Sequence, residues 1–268
     1  TARRVFCFHR PNTLADMVEA DVEGLGGSLR ATVHDIEPLP PKEQTPWLRD
    51  AQHDAITNLE RSLQENRPRA LIQMATGSGK TFAAANIAER LITQGGAKRI
   101  LFLVDRANLG KQTLKEFQGF DVPGTGRKFS ELYNVQRLSS NTVDPVSKVC
   151  ISTIQRVYSI LRGDDTFEEE LDEHSTFDNE PQRTIEVDYN EHLPIEAFDV
   201  IIIDECHRSI YGVWRQVLEY FDAFLIGLTA TPGKQTFGFF NQNLVMEYGF
   251  PQAVADGVNV DFDVFRLS

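Results

Sequence analysis

The chain has 268 residues, 41% hydrophobic and 25% charged, with a formal net charge of −12, a profile that excludes a fibrous or fully disordered polypeptide. No stretch approaches the roughly 18 uninterrupted apolar residues of a membrane span, the N-terminus lacks a signal-peptide pattern, and Cys7, Cys150 and Cys206 are too few and too scattered for a disulfide framework or zinc site. Twelve acids against one base (Arg183) between Asp164 and Glu191 carry −11 of the −12, so the remainder is near neutral and nucleic-acid binding stays open.

The length suits one large domain, or one domain with an appendage. A reducing cytoplasm is the expected compartment, with no membrane contact. The chain starts at Thr1 rather than Met, so a trimmed piece of a longer protein is expected.

In chain order, residues 1–46 read as a small N-terminal appendage, in which Phe6, Phe8 and His9 look like packing groups. It ends in a linker, Glu37–Pro46, with four prolines that favour extended backbone. Leu48, Ala51, Ala55, Leu59 and Leu63 then fall at helical spacing. "ALIQM" (70–74) is a short buried strand, and Lys80–Gln94 a helix ended by Gly95-Gly96. A strand "RILFLV" (99–104) and a helix near 108–117 follow, then a strand "KVCIST" (148–153) and a helix over 154–161. The strands "VIIID" (200–204) and "FLIGLT" (224–229) flank a helix at 213–221. Continuous apolar strands alternating with helices predict an α/β fold, with a mostly parallel sheet covered by helices on both faces. The acidic stretch at 162–197 has little periodicity and reads as a surface insertion.

"MATGSGKT" (74–81) lies between the first strand and its helix, the context a phosphate-binding loop needs. Gly77 and Gly79 let backbone N–H groups, with those of Thr76 and Ser78, close around phosphate oxygens. The helix N-terminus adds its dipole. Lys80 would reach the β- and γ-phosphates of ATP, and the Thr81 hydroxyl would ligate Mg²⁺. The general pattern has Gly at the loop's first position, where Met74 stands.

At "IIIDECHRS" (201–209) an apolar strand stops at two carboxylates. Ligands of such folds sit at the carboxyl ends of strands. Asp204 therefore suits Mg²⁺, and Glu205 suits activation of an attacking water. A Cys206–His207 nucleophile pair is disfavoured, because adjacent side chains leave a strand end in different directions.

Together these residues resemble superfamily 2 helicases and translocases of the DEAD/DEAH type. "MATGSGKT" is similar to motif I, "DECH" to motif II and "LTATP" (228–232) to motif III. "LRDAQHDAI" (48–56) resembles the glutamine motif, while "FLVDRANLGKQ" (102–112) and "ISTIQRV" (151–157) resemble motifs Ia and Ib. The resemblance spans about residues 47–235 and implies a RecA-like motor domain over 47–255, with 256–268 opening a second one. It implies that Gln52, with Arg49 in the same motif, faces the adenine, and that Arg106 and Thr153 touch the nucleic-acid backbone. Two roles stay open for Arg106, phosphate contact or solvated cation. His207 is either a relay of the nucleotide state or a packed histidine. Thr229 and Thr231 either couple ATP to DNA-facing loops or cap the turn before Pro232.

"FCFHRP", "FLVDR", "DECHRS", the acidic insertion and "AVADGVNVD" (253–261) resemble more narrowly the motor (R) subunit of type I restriction enzymes. That resemblance implies double-stranded DNA as substrate and methyltransferase (M) and specificity (S) subunits as partners. It places the arginine finger, worth about 10³–10⁵ in rate, in the second motor domain, so this chain alone is expected to bind ATP and hydrolyse it poorly. The alternatives are a type III Res subunit, an RNA helicase, or a nucleotide-gated binding module.

Overall fold

The structure, a computed structural model, describes residues 9–23, 29–164, 187 and 189–261. Most of the acidic insertion, Phe6, Cys7, Phe8 and residues 262–268 lie outside them.

Seven parallel strands form the central sheet: β1 (Arg69–Met74), β2 (Ile100–Val104), β5 (Val135–Arg137), β6 (Val149–Thr153), β7 (Val200–Ile203), β8 (Phe224–Thr229) and β9 (Leu244–Tyr248). Their order is β5-β6-β2-β7-β8-β1-β9. A two-stranded antiparallel ribbon, β3 (Asp121–Val122) and β4 (Arg127–Lys128), stands apart. The sheet matches the expected α/β class, and its strands explain why. β2, β6, β7 and β8 are buried at every position, and alternate residues feed opposite faces. Ile100, Phe102, Val104, Val200, Ile202, Phe224 and Ile226 join one core, whereas Leu101, Leu103, Ile201, Ile203 and Leu225 join the other. Burying each such side chain contributes about 1.5–3 kcal/mol.

The first core is roofed by α3 (Asp50–Gln64), α4 (Lys80–Thr93) and α5 (Ala107–Gly119). The second is roofed by α7 (Ile154–Arg162) and α8 (Trp214–Tyr220). Because both faces are apolar, patterning alone fixes register weakly. Gly227 pins β8 instead: a Cβ there would lie 2.3 Å from Phe240 Cζ and 2.8 Å from Cys206 Sγ. A one-residue slip would drive Ile226 or Leu228 into that space.

The sequence missed β5 and β9, edge strands of three and five residues that are only partly buried. It also missed α1 (Pro11–Glu23), α2 (Leu29–Thr32), α6 (Phe129–Leu132), α9 (Lys234–Phe239) and α10 (Phe250–Ala255). Within the stretch set apart as an appendage, Leu29, Val33 and Ile36 are 3%, 0% and 3% exposed and belong to the first core. Thr32 Oγ1 donates to Gly95 O and Arg90 Nη2 to Glu37 O, so this segment seals the end of α4. Lys42–Gln44 forms a short 3-10 turn within the proline-rich stretch. Arg90 also grips Glu60 through two hydrogen bonds, a buried pair tying α3 to α4. Among the described residues no helix is long and apolar enough to cross a membrane.

Candidate active site

The loop between β1 and α4 is closed from three sides. Ser78 Oγ donates to Ala75 O at 2.6 Å, Ala75 N donates to Tyr248 O on β9 at 2.8 Å, and Gln52 Nε2 on α3 donates to Ser78 O (3.1 Å) and Gly79 O (3.3 Å). Gly77 and Gly79 have φ of 79° and 83°, the left-handed region that glycine enters freely. A Cβ on Gly79 would also lie 2.4 Å from Gln52 Nε2, so the residue is fixed by space as well as by backbone.

Met74, where the general pattern has glycine, ends β1 fully buried and serves the site only through its carbonyl, which accepts from Lys80 Nζ at 3.4 Å. Any residue supplies a carbonyl, so Met74 costs the loop nothing. Gln52 is 3% exposed, with its Oε1 accepting from Arg49 N at 2.9 Å, and Arg49 Nη1 donates to Gly77 O at 3.4 Å. Both residues brace the loop.

β8 lies between β1 and β7, so the acids after β7 and Thr229 at the end of β8 come to the same edge as the loop. Lys80 Nζ is 3.5 Å from Glu205 Oε1. Glu205 has φ 45° and ψ 46°, a left-handed conformation costing a non-glycine residue about 1–2 kcal/mol that aims its carboxylate at the loop. On the other side of Glu205, His207 Nδ1 is 3.4 Å from Glu205 Oε2 and 2.9 Å from Thr229 Oγ1. The carboxylate only accepts, which favours the tautomer with its proton on Nδ1. Burial holds the His207 imidazole below its usual range, with Glu205 opposing. Thr229 is fully buried and its Oγ1 also accepts from Thr231 N at 3.1 Å. It thus caps the turn and touches the histidine at once. Thr231 is exposed.

Asp204 Oδ1 accepts from Glu205 N at 3.0 Å. Burial, with the neighbouring Glu205 charge, pushes its carboxyl from an ordinary 3.8 up to about 6. A raised pKa means that the linked stability is complete below the ordinary value and lost as pH rises through 6. Asp204→Asn is therefore expected to stabilise the nucleotide-free chain at pH 8, by up to about 3 kcal/mol at 1.36 kcal/mol per pKa unit, and to give no gain below pH 4. Thermal unfolding in chelator at the two pH values checks this, and an equal effect at both would contradict it.

Cys206 is fully buried against β8, and burial pushes its thiol pKa well up, so it is a packing residue and not a nucleophile. Past the end of β2, Arg106 occupies the first position before α5 without a side-chain capping bond, its side chain 43% exposed. Thr153 is 3% exposed and its hydroxyl accepts from Arg156 N at 3.3 Å as the cap of α7; the structure does not bring it to the surface. The sequence reading passed over Asp105, which pairs with Arg208 at 3.0 Å. The available signal was an acid one residue past β2, matching Asp204 one residue past β7. At the far end, Val258 N and Asn259 N both donate to Ala253 O, and Asn259 Oδ1 lies 3.3 Å from where a Gly77 Cβ would stand. The segment after α10 thus packs beside the loop.

The family model of the type III restriction enzyme res subunit (ResIII) matches residues 46–234. The EcoKI endonuclease subunit of a type I restriction enzyme from Escherichia coli K12 is 28% identical over 286 residues, covering 96% of this chain and 20% of that protein. The Escherichia coli EcoAI endonuclease subunit is 32% identical over 225 residues, covering 81% and 24%. This chain therefore spans about a fifth to a quarter of those relatives' length. A solved fragment assigned as the HsdR subunit of a type I restriction enzyme from Vibrio vulnificus YJ016 superposes with a TM-score of 0.52 at 25% identity, over 93% of this chain and 38% of that one.

Proposed function

We propose, from the premise that this chain belongs to the ResIII family, that it is the first ATP-binding motor domain of a type I restriction endonuclease R subunit, a translocase that moves double-stranded DNA. The premise is carried by a match over residues 46–234. Likeness to two type I endonuclease subunits along most of the chain supports the narrower assignment.

The observation that carries the chemistry is Lys80 facing Glu205 across the phosphate loop, with His207 joining Glu205 to Thr229. Thr76, Gly77, Ser78 and Gly79 would present backbone N–H groups to the phosphates of ATP. Lys80 would bind the β- and γ-phosphates, and Glu205 would orient a water and accept its proton. Thr81 and Asp204 would hold Mg²⁺, which neutralises charge on the β- and γ-phosphates when bound. The donor set, one carboxylate and one hydroxyl, fits that ion, because Mg²⁺ takes one or two carboxylates plus phosphate and water. His207, Thr229 and Thr231 would carry the nucleotide state toward the surface where Arg106 meets DNA phosphate. M and S subunits are the proposed partners, and the cytoplasm the proposed compartment.

The discriminating experiment compares ATP hydrolysis by the full-length protein with duplex DNA and with RNA of equal length. Stimulation by DNA alone is expected. Equal or greater stimulation by RNA would move the chain to the RNA helicases of the same fold.

A further inference from the structure

β2 and β7 are sheet neighbours, paired from Ile100–Val200 to Leu103–Ile203; just past its carboxyl end β2 delivers one acid, Asp105, and β7 two, Asp204 and Glu205. The Asp105 side chain, 6% exposed, receives two guanidinium groups on one oxygen: Arg208 Nη1 at 3.0 Å and Arg106 Nε at 3.7 Å. The two arginines belong to different parts of the site. Arg208 closes the 3-10 turn that begins at Glu205, its backbone N–H donating to Glu205 O at 2.9 Å. Arg106 stands at the start of α5 with much of its side chain in solvent.

A buried carboxylate shared between two cations responds to the loss of either by leaning on the other. An oligonucleotide phosphate that draws Arg106 outward shifts the Asp105 charge toward Arg208, and Arg208 is one hydrogen bond from the backbone of Glu205. We propose that Asp105 and Arg208 are the positioning pair through which a nucleic-acid phosphate at Arg106 sets the geometry of Glu205. The pair would give DNA engagement a route of two ionic contacts and one backbone bond into the hydrolytic turn. The inference rests on the proposed reading of the chain as a DNA-stimulated ATPase.

The test uses the full-length protein carrying Asp105→Asn, Arg208→Gln or Arg208→Lys. It measures affinity for a fluorescent ATP analogue, affinity for duplex DNA, and ATP hydrolysis without and with saturating duplex DNA. Asp105→Asn and Arg208→Gln are expected to keep both affinities and the DNA-free rate while the stimulated rate falls about 5–150-fold, the usual range of coupling between sites. Arg208→Lys, which keeps the cation, is expected to restore part of the stimulation. A stimulated rate within about twofold of wild type overturns the proposal, as does an equal fall with and without DNA, the mark of a merely structural defect. Should Arg208→Gln fail to fold around the stranded carboxylate, Asp105→Asn decides alone, because it removes that charge. Wild type and Lys80→Ala separate the two levels. If duplex DNA does not stimulate wild type, or Lys80→Ala hydrolyses normally, the motor reading falls and the coupling with it. If both behave as expected and the pair's variants are silent, the coupling alone falls.

Discussion

Lys80→Ala is expected to weaken nucleotide binding by at least about 100-fold and to leave the fold intact. The ammonium lies within the phosphate loop, 3.4 Å from Met74 O and 3.5 Å from Glu205 Oε1, with its side chain 11% exposed. No hydrophobic contact of either core depends on it. Charge-assisted bonds to phosphate are worth about 1.5–3 kcal/mol each, and 1.4 kcal/mol is tenfold in affinity, so losing two phosphate contacts reaches that factor. A second effect has the same sign. Lys80 lowers the Asp204 pKa, so its removal takes the chain's own cation from beside Asp204 and Glu205 where the phosphates would arrive. Titration with a fluorescent ATP analogue, beside a thermal unfolding curve, reads both. Wild-type affinity in a folded variant would remove the loop from the proposed site.

Glu205→Gln is expected to lower ATP hydrolysis by the full-length protein by about 10²–10⁴, the range of general-base catalysis, while ATP stays bound. The amide keeps the size of the side chain and its ability to face Lys80 and His207, but it cannot take a proton from water. The left-handed backbone at Glu205 supports this weighting: a strained conformation at a non-glycine residue persists where the surroundings hold a side chain in place. Single-turnover kinetics with nucleotide retention separates a chemical defect from a binding defect. Hydrolysis at the wild-type rate would remove Glu205 as the base.

Much of this was readable in the sequence because it depends on local pattern. The strands β1, β2, β6, β7 and β8 announce themselves as apolar runs, since a strand covered on both faces has no polar positions to alternate. "MATGSGKT" carries its own geometry in Gly77 and Gly79. What stayed hidden depends on partners far apart in the chain. The Asp105–Arg208 pair spans 103 positions and exists only because β2 lies beside β7. Gln52 could be read as a site residue, but its grip on Ser78 O and Gly79 O depends on how α3 packs against the loop. Thr153 was expected at the surface because "ISTIQRV" resembles a backbone-contacting motif; the structure shows its hydroxyl buried as the cap of α7. β9 was missed for a different reason: "LVMEY" is apolar at four of five positions, and so short an apolar run carries no periodicity that separates a strand from a helix.

If nucleotide chemistry at this loop drives movement along duplex DNA, as proposed, triplex displacement by the full-length protein assembled with the proposed M and S subunits tests it most directly. A third strand placed downstream of the recognition site should be released in the presence of ATP, after a lag that lengthens with distance, and should remain bound with Lys80→Ala or Glu205→Gln. Release without ATP, release unchanged in both variants, or no release despite DNA-stimulated hydrolysis would contradict it.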